Sequence, residues 1–544
     1  MKVKEYRKKY KEQLLFLNAG DHFQGTFWYT LNKSEIVAHF VGRMEQDEMA
    51  LGNHEFDDGE IELKKFINVL EQYKPNFKFL CSNIVLKPDS VLNGKIKPSS
   101  IRTINGRRIA IIGYVTPDTS FLASPGKKVN FIDEIVAIKN EIKRIKGKDS
   151  SINIFIAVGH SGLARDLELA YSIPDLDLVV GGHSHTFLWN NSLDSPNLSD
   201  VPLREYPVVV RKNGSTTLVV QAFAFGKYMG HLDLEFDSDG NIQEYSGFPI
   251  YMNGSVDPKT QEFLNISIAA IAPLINQTVG HTKFELNNRY CRSHECEIGN
   301  FVTDSIRALF KNPITQLEGF KTDCDSVFSI FNGGSIRSSI SKGYIAQKDV
   351  MDALPYGNLI GLTVVTEWQF WKIFEHSAKQ FNFGGFLQIS NNLRAIYSFG
   401  WKADTAILKD IEIYCYGKWK SLRKSLKIDK NIDNKNRINQ RFDKRKISEQ
   451  NKQTDSLSTS KYIIATTSYI FQGGDNYQMF NKSIWNVTTE TTRTAFISYL
   501  NNSTVSPKIE KRICFNDCYP KISESTPLIF SKMLIFISFL SIIV

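Results

Sequence analysis

Cysteine is scarce in this sequence, at seven in 544 residues, which excludes a disulfide-dense scaffold. Cys291/Cys296 and Cys514/Cys518 are the close pairs that can bridge within single loops, and the odd count leaves at least one thiol unpaired. No apolar segment of the kind that opens a secretory signal appears in the first ten residues, MKVKEYRKKY. No repeat of fixed period is visible. A dominant charge of one sign is also missing, since 66 Lys+Arg face 57 Asp+Glu for a net +9. The excess is concentrated between Lys418 and Asp455, where thirteen Lys/Arg meet five Asp/Glu in an Asn/Lys/Gln-rich stretch of little apolar periodicity. A solvated surface insertion explains that stretch better than a nucleic-acid-binding face does, so no nucleic-acid partner is expected.

What is present is a globular composition, 42% hydrophobic and 23% charged, and it excludes a disordered or collagen-like chain. At roughly 100–200 residues per domain the length predicts two or three units. Leu14–Leu17, Ile109–Ile112, Ile152–Val158 and Leu176–Val180 are short, β-branched runs that end at polar residues, and they read as buried strands. Helical spacing recurs between them, over Ile61–Tyr73 and Ile132–Ile145. The first half, residues 1–255, is therefore a layered α/β domain. Residues 256–275 read as a connecting helix and residues 276–520 as a second α/β unit. Its Cys291–Cys296 loop is followed by a helix over Phe301–Phe310 and Gly-rich turns at Asn332–Gly334, Phe383–Gly385 and Gln472–Gly474.

Residues 521–544 are set apart by composition. Pro527–Val544 is apolar except for Lys532 and follows small residues among Asn516–Ser525, which resembles the removable tail of a glycolipid-anchor signal. A short tail anchor or a buried terminal strand is the plainer alternative. A lipid anchor requires entry into the secretory pathway, so the absence of an apolar leader makes the start of the sequence read as incomplete. Asn-x-Ser/Thr sequons such as Asn190, Asn253, Asn265 and Asn501 permit glycosylation, although many arise by chance in an Asn-rich chain.

Four polar clusters in the first half each stand at the end of an apolar run. They are Gly20-Asp21-His22-Phe23-Gln24-Gly25, Gly52-Asn53-His54-Glu55-Phe56-Asp57, Gly159-His160-Ser161-Gly162 and Gly181-Gly182-His183-Ser184-His185. Each alone has a bland reading: Asp21 as a turn residue capping a helix, Asn53 and His54 as a surface turn, the others as structural histidines. Residues two apart on an extended segment face one way, so His183 and His185 are expected to share a site. Together, Asp21, Asn53, His160, His183 and His185 form the mixed oxygen and nitrogen set that suits a pair of borderline divalent ions.

In order and spacing, GDHFQG, GNHEFD, GHSG and GGHSHTF resemble the dinuclear metallophosphoesterase signature of the 5′-nucleotidase family, its animal ecto-enzymes and arthropod apyrases in particular. The resemblance runs from about Leu14 to Cys518. It implies a four-layer α/β metallophosphoesterase domain followed by an α/β nucleotide-specificity domain. It also implies two divalent metal ions, Zn²⁺ first among the candidates, with Asp21 bridging them, Asn53, His160 and His183 completing the second site and His185 helping to hold the first. His54 would stabilise the transferring phosphoryl group, oriented by Asp57. In the second domain, Arg337 of Asn332-Gly333-Gly334-Ser335-Ile336-Arg337 and Arg292 would hold anionic groups through their planar forks. Asn332 belongs to the same element. Tyr356 and Tyr469 fall where the family sandwiches the base, both Tyr where Phe is common, and Asp475 would accept from the ribose hydroxyls. Core packing for the tyrosines and a turn for Asp475 are the readings without the resemblance.

One departure stands out. The family opens with a strand ending in Asp-x-His or Asp-x-Asn, whereas residues 1–20 contain neither Asp nor His. The first metal position is left with Asp21 and His185. The expectation is a surface-anchored hydrolase of nucleoside 5′-monophosphates, AMP foremost, on the extracellular face of the plasma membrane. An apyrase acting on ATP and ADP, or a nucleotide-binding surface protein that has lost catalysis, is the alternative. The family further implies a homodimer formed through the second domain.

Overall fold

The computed structural model describes residues 2–190, 200–212, 214–254, 256–310, 323–400, 405–426, 428, 460–480 and 485–516. The apolar tail, Cys518, Asn197 and Asn213, and most of the Lys418–Asp455 stretch lie outside the described residues.

The first half builds two facing sheets. One is wholly parallel, in the order Leu17–Asn18, Glu48–Ala50, Lys78–Leu80, Ile96–Lys97. The other has six strands, in the order Val208–Lys212, Ser215–Val220, Leu178–Val180, Ile154–His160, Arg107–Val115, Ser99–Ile104. Ala50, Leu80, Ile111 and Val158, all fully buried, form the seam between the sheets. Helices cover the outer faces. Phe66, Ile67 and Leu70 of the helix Gly59–Tyr73 pack on the first sheet. Ile138, Ile142 and Ile145 of the helix Glu134–Lys148 pack on the second. The alternation of strand and helix patterns predicts a layered α/β domain, and the four layers are those that the resemblance implies. The run Leu14–Leu17 is a strand only at Leu17–Asn18 and half-buried there, whereas the other three expected strands sit close to their expected positions, and burial on both faces explains their continuous β-branched runs.

The connecting helix runs over Pro258–Ile275, with Asp257 capping it by accepting from the Thr260 N–H at 3.0 Å. Beyond it, a five-stranded sheet in the order Leu387–Ile389, Val327–Asn332, Lys461–Thr467, Leu359–Thr366, Trp485–Thr491 divides the second unit's core into two clusters. The helix expected over Phe301–Phe310 is Glu297–Ala308. Cys291 and Cys296 are bridged as expected, and Cys514 is also disulfide-bonded. A further bridge joins Cys324 and Cys415, 91 residues apart, a pairing that sequence proximity has no means of suggesting. Among the described residues the free thiol is Cys81, buried in the first domain.

The insertion expected from Lys418 onward begins later than its composition implies. Lys418–Ser421 pairs as a strand with Ala406–Cys415, and Leu422 is fully buried at the start of a short helix. Trp419 and Leu422 are the only apolar residues from Lys418 to Ser425, too few to stand out among the lysines.

Candidate active site

Asp21 and Asn53 stand on loops that follow the strands Leu17–Asn18 and Glu48–Ala50, and His160 is the last residue of the strand Ile154–His160, all at carboxyl ends of parallel strands. Ligands gather at the carboxyl ends of parallel strands because connecting loops leave backbone and side chains free there. The first two loops touch. Asp21 Oδ1 accepts the His54 N–H at 2.8 Å. A Cβ on Gly52 would fall 2.4 Å from that same oxygen, so no other residue fits at position 52.

Glu55 holds the contact from beneath. Completely buried, it accepts backbone N–H groups of Gly52 at 2.6 Å, Asp21 at 2.7 Å, His22 at 2.6 Å and Phe23 at 3.3 Å. This clip was not singled out in the sequence, where Glu55 is one of several charges in its motif. Full burial of a carboxylate is the signal that marks it, and burial appears only in three dimensions. His22 was likewise passed over. Its imidazole contacts Asn18, and burial lowers its pKa to about 4.

The expected metal ligands fall into two pairs. His160 Nδ1–H donates to the Ala19 carbonyl at 2.9 Å, and its buried Nε2 lies 2.9 Å from Asp21 Oδ2. Burial alone would lower the His160 pKa, but that carboxylate raises it. His183 Nδ1 lies 3.0 Å from Asn53 Oδ1, and the His160 and His183 rings are 5.1 Å apart. Two donors sharing an ion at about 2.1 Å each stand about 3.0–3.4 Å from one another, so both separations suit a common cation as well as a hydrogen bond. Burial, followed by the nearby His160, lowers His183 to about 3, and burial with Arg337 and Arg292 lowers His185 to about 4. Both imidazoles are thus neutral, the form that ligates metal. Among the described residues no group of three or more His, Cys, Asp or Glu could hold an ion. The donors expected at the second position stand as two pairs, Asp21 with His160 and Asn53 with His183, and an ion shared by all four would have to draw the pairs together. The first position has two donors, Asp21 and His185, below the three that catalytic ions usually take.

His183 and His185 do not lie on an extended segment, so strand alternation is not what brings them together. Both have positive φ, 74° and 50°, so the segment is a turn and not an extended continuation of Leu178–Val180. The turn is pinned between them. Ser184 Oγ accepts from the Leu163 N–H at 3.0 Å and contacts Gln221 Oε1 at 3.1 Å, while Gln221 Nε2 donates to Asp166 at 2.7 Å. Tyr114 donates to the other Asp166 oxygen at 2.7 Å. Burial is the main cause that raises Asp166 from 3.8 to about 7. The folded chain therefore keeps a proton that the unfolded chain releases, and this group makes stability fall as pH rises from about 4 to about 7, with no slope above. Unfolding midpoints measured across that range should lose this component in Asp166→Asn; an unchanged slope would count against it.

His54 stands at the mouth of the site. Its Nδ1 is 2.8 Å from Asp57 Oδ2 and its Nε2 is 4.0 Å from Asp21 Oδ2. Burial disfavours its charge, yet the Asp57 and Asp21 carboxylates prevail and hold its pKa up to about 9. Its ring centroid lies 6.0 Å from that of Tyr356, on the opposite domain.

The second domain converges on the same space. Arg292 sits in the loop closed by Cys291–Cys296, which Gln388 steadies by donating to the carbonyls of Cys291 at 2.9 Å and His294 at 2.7 Å. Burial, then the like charge of Arg337, lowers the Arg292 pKa. The two guanidinium groups stand near enough to repel each other, an arrangement that an anion stabilises. Asn332 Nδ2 donates to Asp475 Oδ2 at 2.8 Å, and the Tyr469 hydroxyl donates to Asp475 Oδ1 at 3.0 Å. The Phe27 N–H donates across the domain boundary to Asp352 Oδ1 at 2.7 Å, close in sequence to Tyr356. All thirteen expected site residues thus belong to two clusters that meet at the domain boundary.

Buried oxygen and nitrogen donors at strand ends, with paired arginines opposite, define a metal-dependent phosphoesterase, and residues 2–187 match the family model for calcineurin-like phosphoesterase. Residues 278–482 match the 5′-nucleotidase C-terminal domain. The chain belongs to the 5′-nucleotidase family. It is 35% identical to the 5′-nucleotidase of Bos taurus over 426 residues, 76% of this chain and 71% of that one. To an apyrase of Tabanus yao it is 33% identical over 386 residues, 70% of this chain and 67% of that one. The crystal structure of a 5′-nucleotidase precursor from Thermus thermophilus superposes with a TM-score of 0.79 at 26% identity, covering 94% of this chain and 92% of that one. The phosphoesterase fold implies divalent metal ions. No helix among the described residues is long and apolar enough to cross a membrane.

Proposed function

We propose that the chain hydrolyses nucleoside 5′-monophosphates, AMP foremost, to nucleoside and phosphate. The observation that carries this reading is the meeting of the two clusters, with the His54 and Tyr356 rings 6.0 Å apart. A phosphate at the Asp21 edge and a nucleoside among Tyr356, Tyr469 and Asp475 are then parts of one molecule. Asp21, Asn53, His160 and His183 would hold one ion, with Asp21 and His185 contributing to another. Mixed nitrogen and oxygen ligation favours Zn²⁺. Bound there, such ions polarise phosphate oxygens and lower the pKa of water. His54, oriented by Asp57, presents its imidazolium to the phosphoryl oxygens as charge develops on them. Arg292 and Arg337 neutralise the anion on its other side, and the tyrosine rings exclude water from the base.

Similarity to an apyrase supports a second reading, hydrolysis of ATP and ADP. The Pro527–Val544 tail supports a lipid anchor and an extracellular address, for which release by a phosphoinositide-specific phospholipase is the assay. A homodimer through the second domain rests on the family alone, and molar mass in solution, read by light scattering, decides it.

Phosphate release from AMP, ADP and ATP, with added Zn²⁺ and an EDTA control, tests the main reading. Chelator-sensitive release with AMP preferred is expected. Preference for ATP or ADP selects the second reading, and no release from any nucleotide sinks both.

A further inference from the structure

The Tyr469 hydroxyl makes two hydrogen bonds to a single residue. It accepts from the Asp475 backbone N–H at 3.1 Å and donates to Asp475 Oδ1 at 3.0 Å. Asp475 is held at its two other polar atoms as well. Asn332 Nδ2 donates to Oδ2 at 2.8 Å, and His376 Nε2 lies 2.8 Å from the carbonyl oxygen. The residue needs this support, because its φ is +50° and that of Asn476 is +63°, a left-handed backbone that L residues disfavour. The Tyr469 ring lies flush against the turn, where a Cβ on Gly474 would come within 2.6 Å of it.

Each carboxylate oxygen offers two lone-pair positions, and one on each is taken by Tyr469 or Asn332. The remaining acceptors form a matched pair on one rigid group. Asp475 is 6% exposed, so these acceptors do not simply face water. Arg292 and His54 act on its charge, which places it within the site.

Resting on the nucleotidase reading, we propose that the Tyr469 hydroxyl is a specificity-determining and positioning group. It fixes the Asp475 carboxylate so that its free acceptors take a vicinal pair of sugar hydroxyls, and it thereby sets the preference for ribonucleosides over sugars lacking that pair. A phenylalanine at this position keeps the ring against the base and loses the lock.

The test compares adenosine with 2′,3′-dideoxyadenosine by calorimetric titration, on the full chain and on Tyr469→Phe. Tyr469→Phe should weaken adenosine binding about tenfold, the scale of one hydrogen bond to a charged group, while leaving the dideoxy ligand within about twofold. In an Asp475→Asn background the same change should cost adenosine little more, since the group it positions is already altered. Equal losses for both ligands, or an unchanged preference, overturn the inference. So does a wild-type chain that binds the two nucleosides alike. A chain that binds adenosine selectively but releases no phosphate from AMP instead refutes the hydrolase reading and leaves this one standing.

Discussion

Asp21→Asn is expected to lower phosphate release from AMP by on the order of a thousandfold or more, because several kcal/mol of charge stabilisation depend on the carboxylate and each 1.4 kcal/mol is about tenfold in rate. The side chain serves three neighbours at once. Oδ1 accepts the His54 N–H at 2.8 Å, while Oδ2 lies 2.9 Å from His160 Nε2 and 4.0 Å from His54 Nε2. An amide of the same size keeps one oxygen and turns an NH₂ toward one of these groups, so geometry survives while charge does not. Burial by itself would raise the Asp21 pKa, but His160 and His54 hold it well below the usual carboxylate value. The charge is therefore present at every pH of interest. Metal content measured on the purified variant separates a lost ligand from a lost fold. A rate within tenfold of wild type at saturating Zn²⁺ would remove Asp21 from its assigned role.

Glu55→Gln should cost stability on a scale that surface substitutions do not reach, about 3–5 kcal/mol. The carboxylate accepts four backbone N–H groups, from Gly52, Asp21, His22 and Phe23, with no exposure to water. Glutamine offers one oxygen to those donors and points two N–H groups at the rest. Buried donors without partners bear their full desolvation cost, roughly 1–3 kcal/mol each, and the loops can relax only by parting. Parting separates Asp21 from Asn53, so metal affinity should fall together with stability. Denaturant titration with and without Zn²⁺ reads both effects. Were the midpoint to stay within about 1 kcal/mol of wild type, the clip would be dispensable and the loops held by packing alone.

How much was legible without coordinates differs from element to element. The strands Arg107–Val115 and Ile154–His160 were recognisable because both their faces are buried, and such strands must be apolar along their whole length. The short helix and strand at Lys418–Ser425 were hidden because their apolar residues, Trp419 and Leu422, are too few to stand out among the lysines. Polar clusters at strand ends were legible as chemistry because Asp, Asn and His in those positions have little structural use in such number. Glu55 was not, since its value lies in four backbone partners from two loops 33 residues or so apart in sequence.

Local sequence settles the layered α/β class, the placement of donors after strands and the family to which the chain belongs, because strand periodicity and motif spacing are properties of neighbours along the chain. Contacts between distant segments are decided by the tertiary structure. Only folding pairs His160 with Asp21, 139 residues before it by number and 2.9 Å away in space. Folding alone joins Cys324 to Cys415, turns His183 and His185 through left-handed backbone, and ties the Tyr469 hydroxyl to Asp475. Each of these depends on burial and on loop closure, and neither quantity exists until the chain has packed.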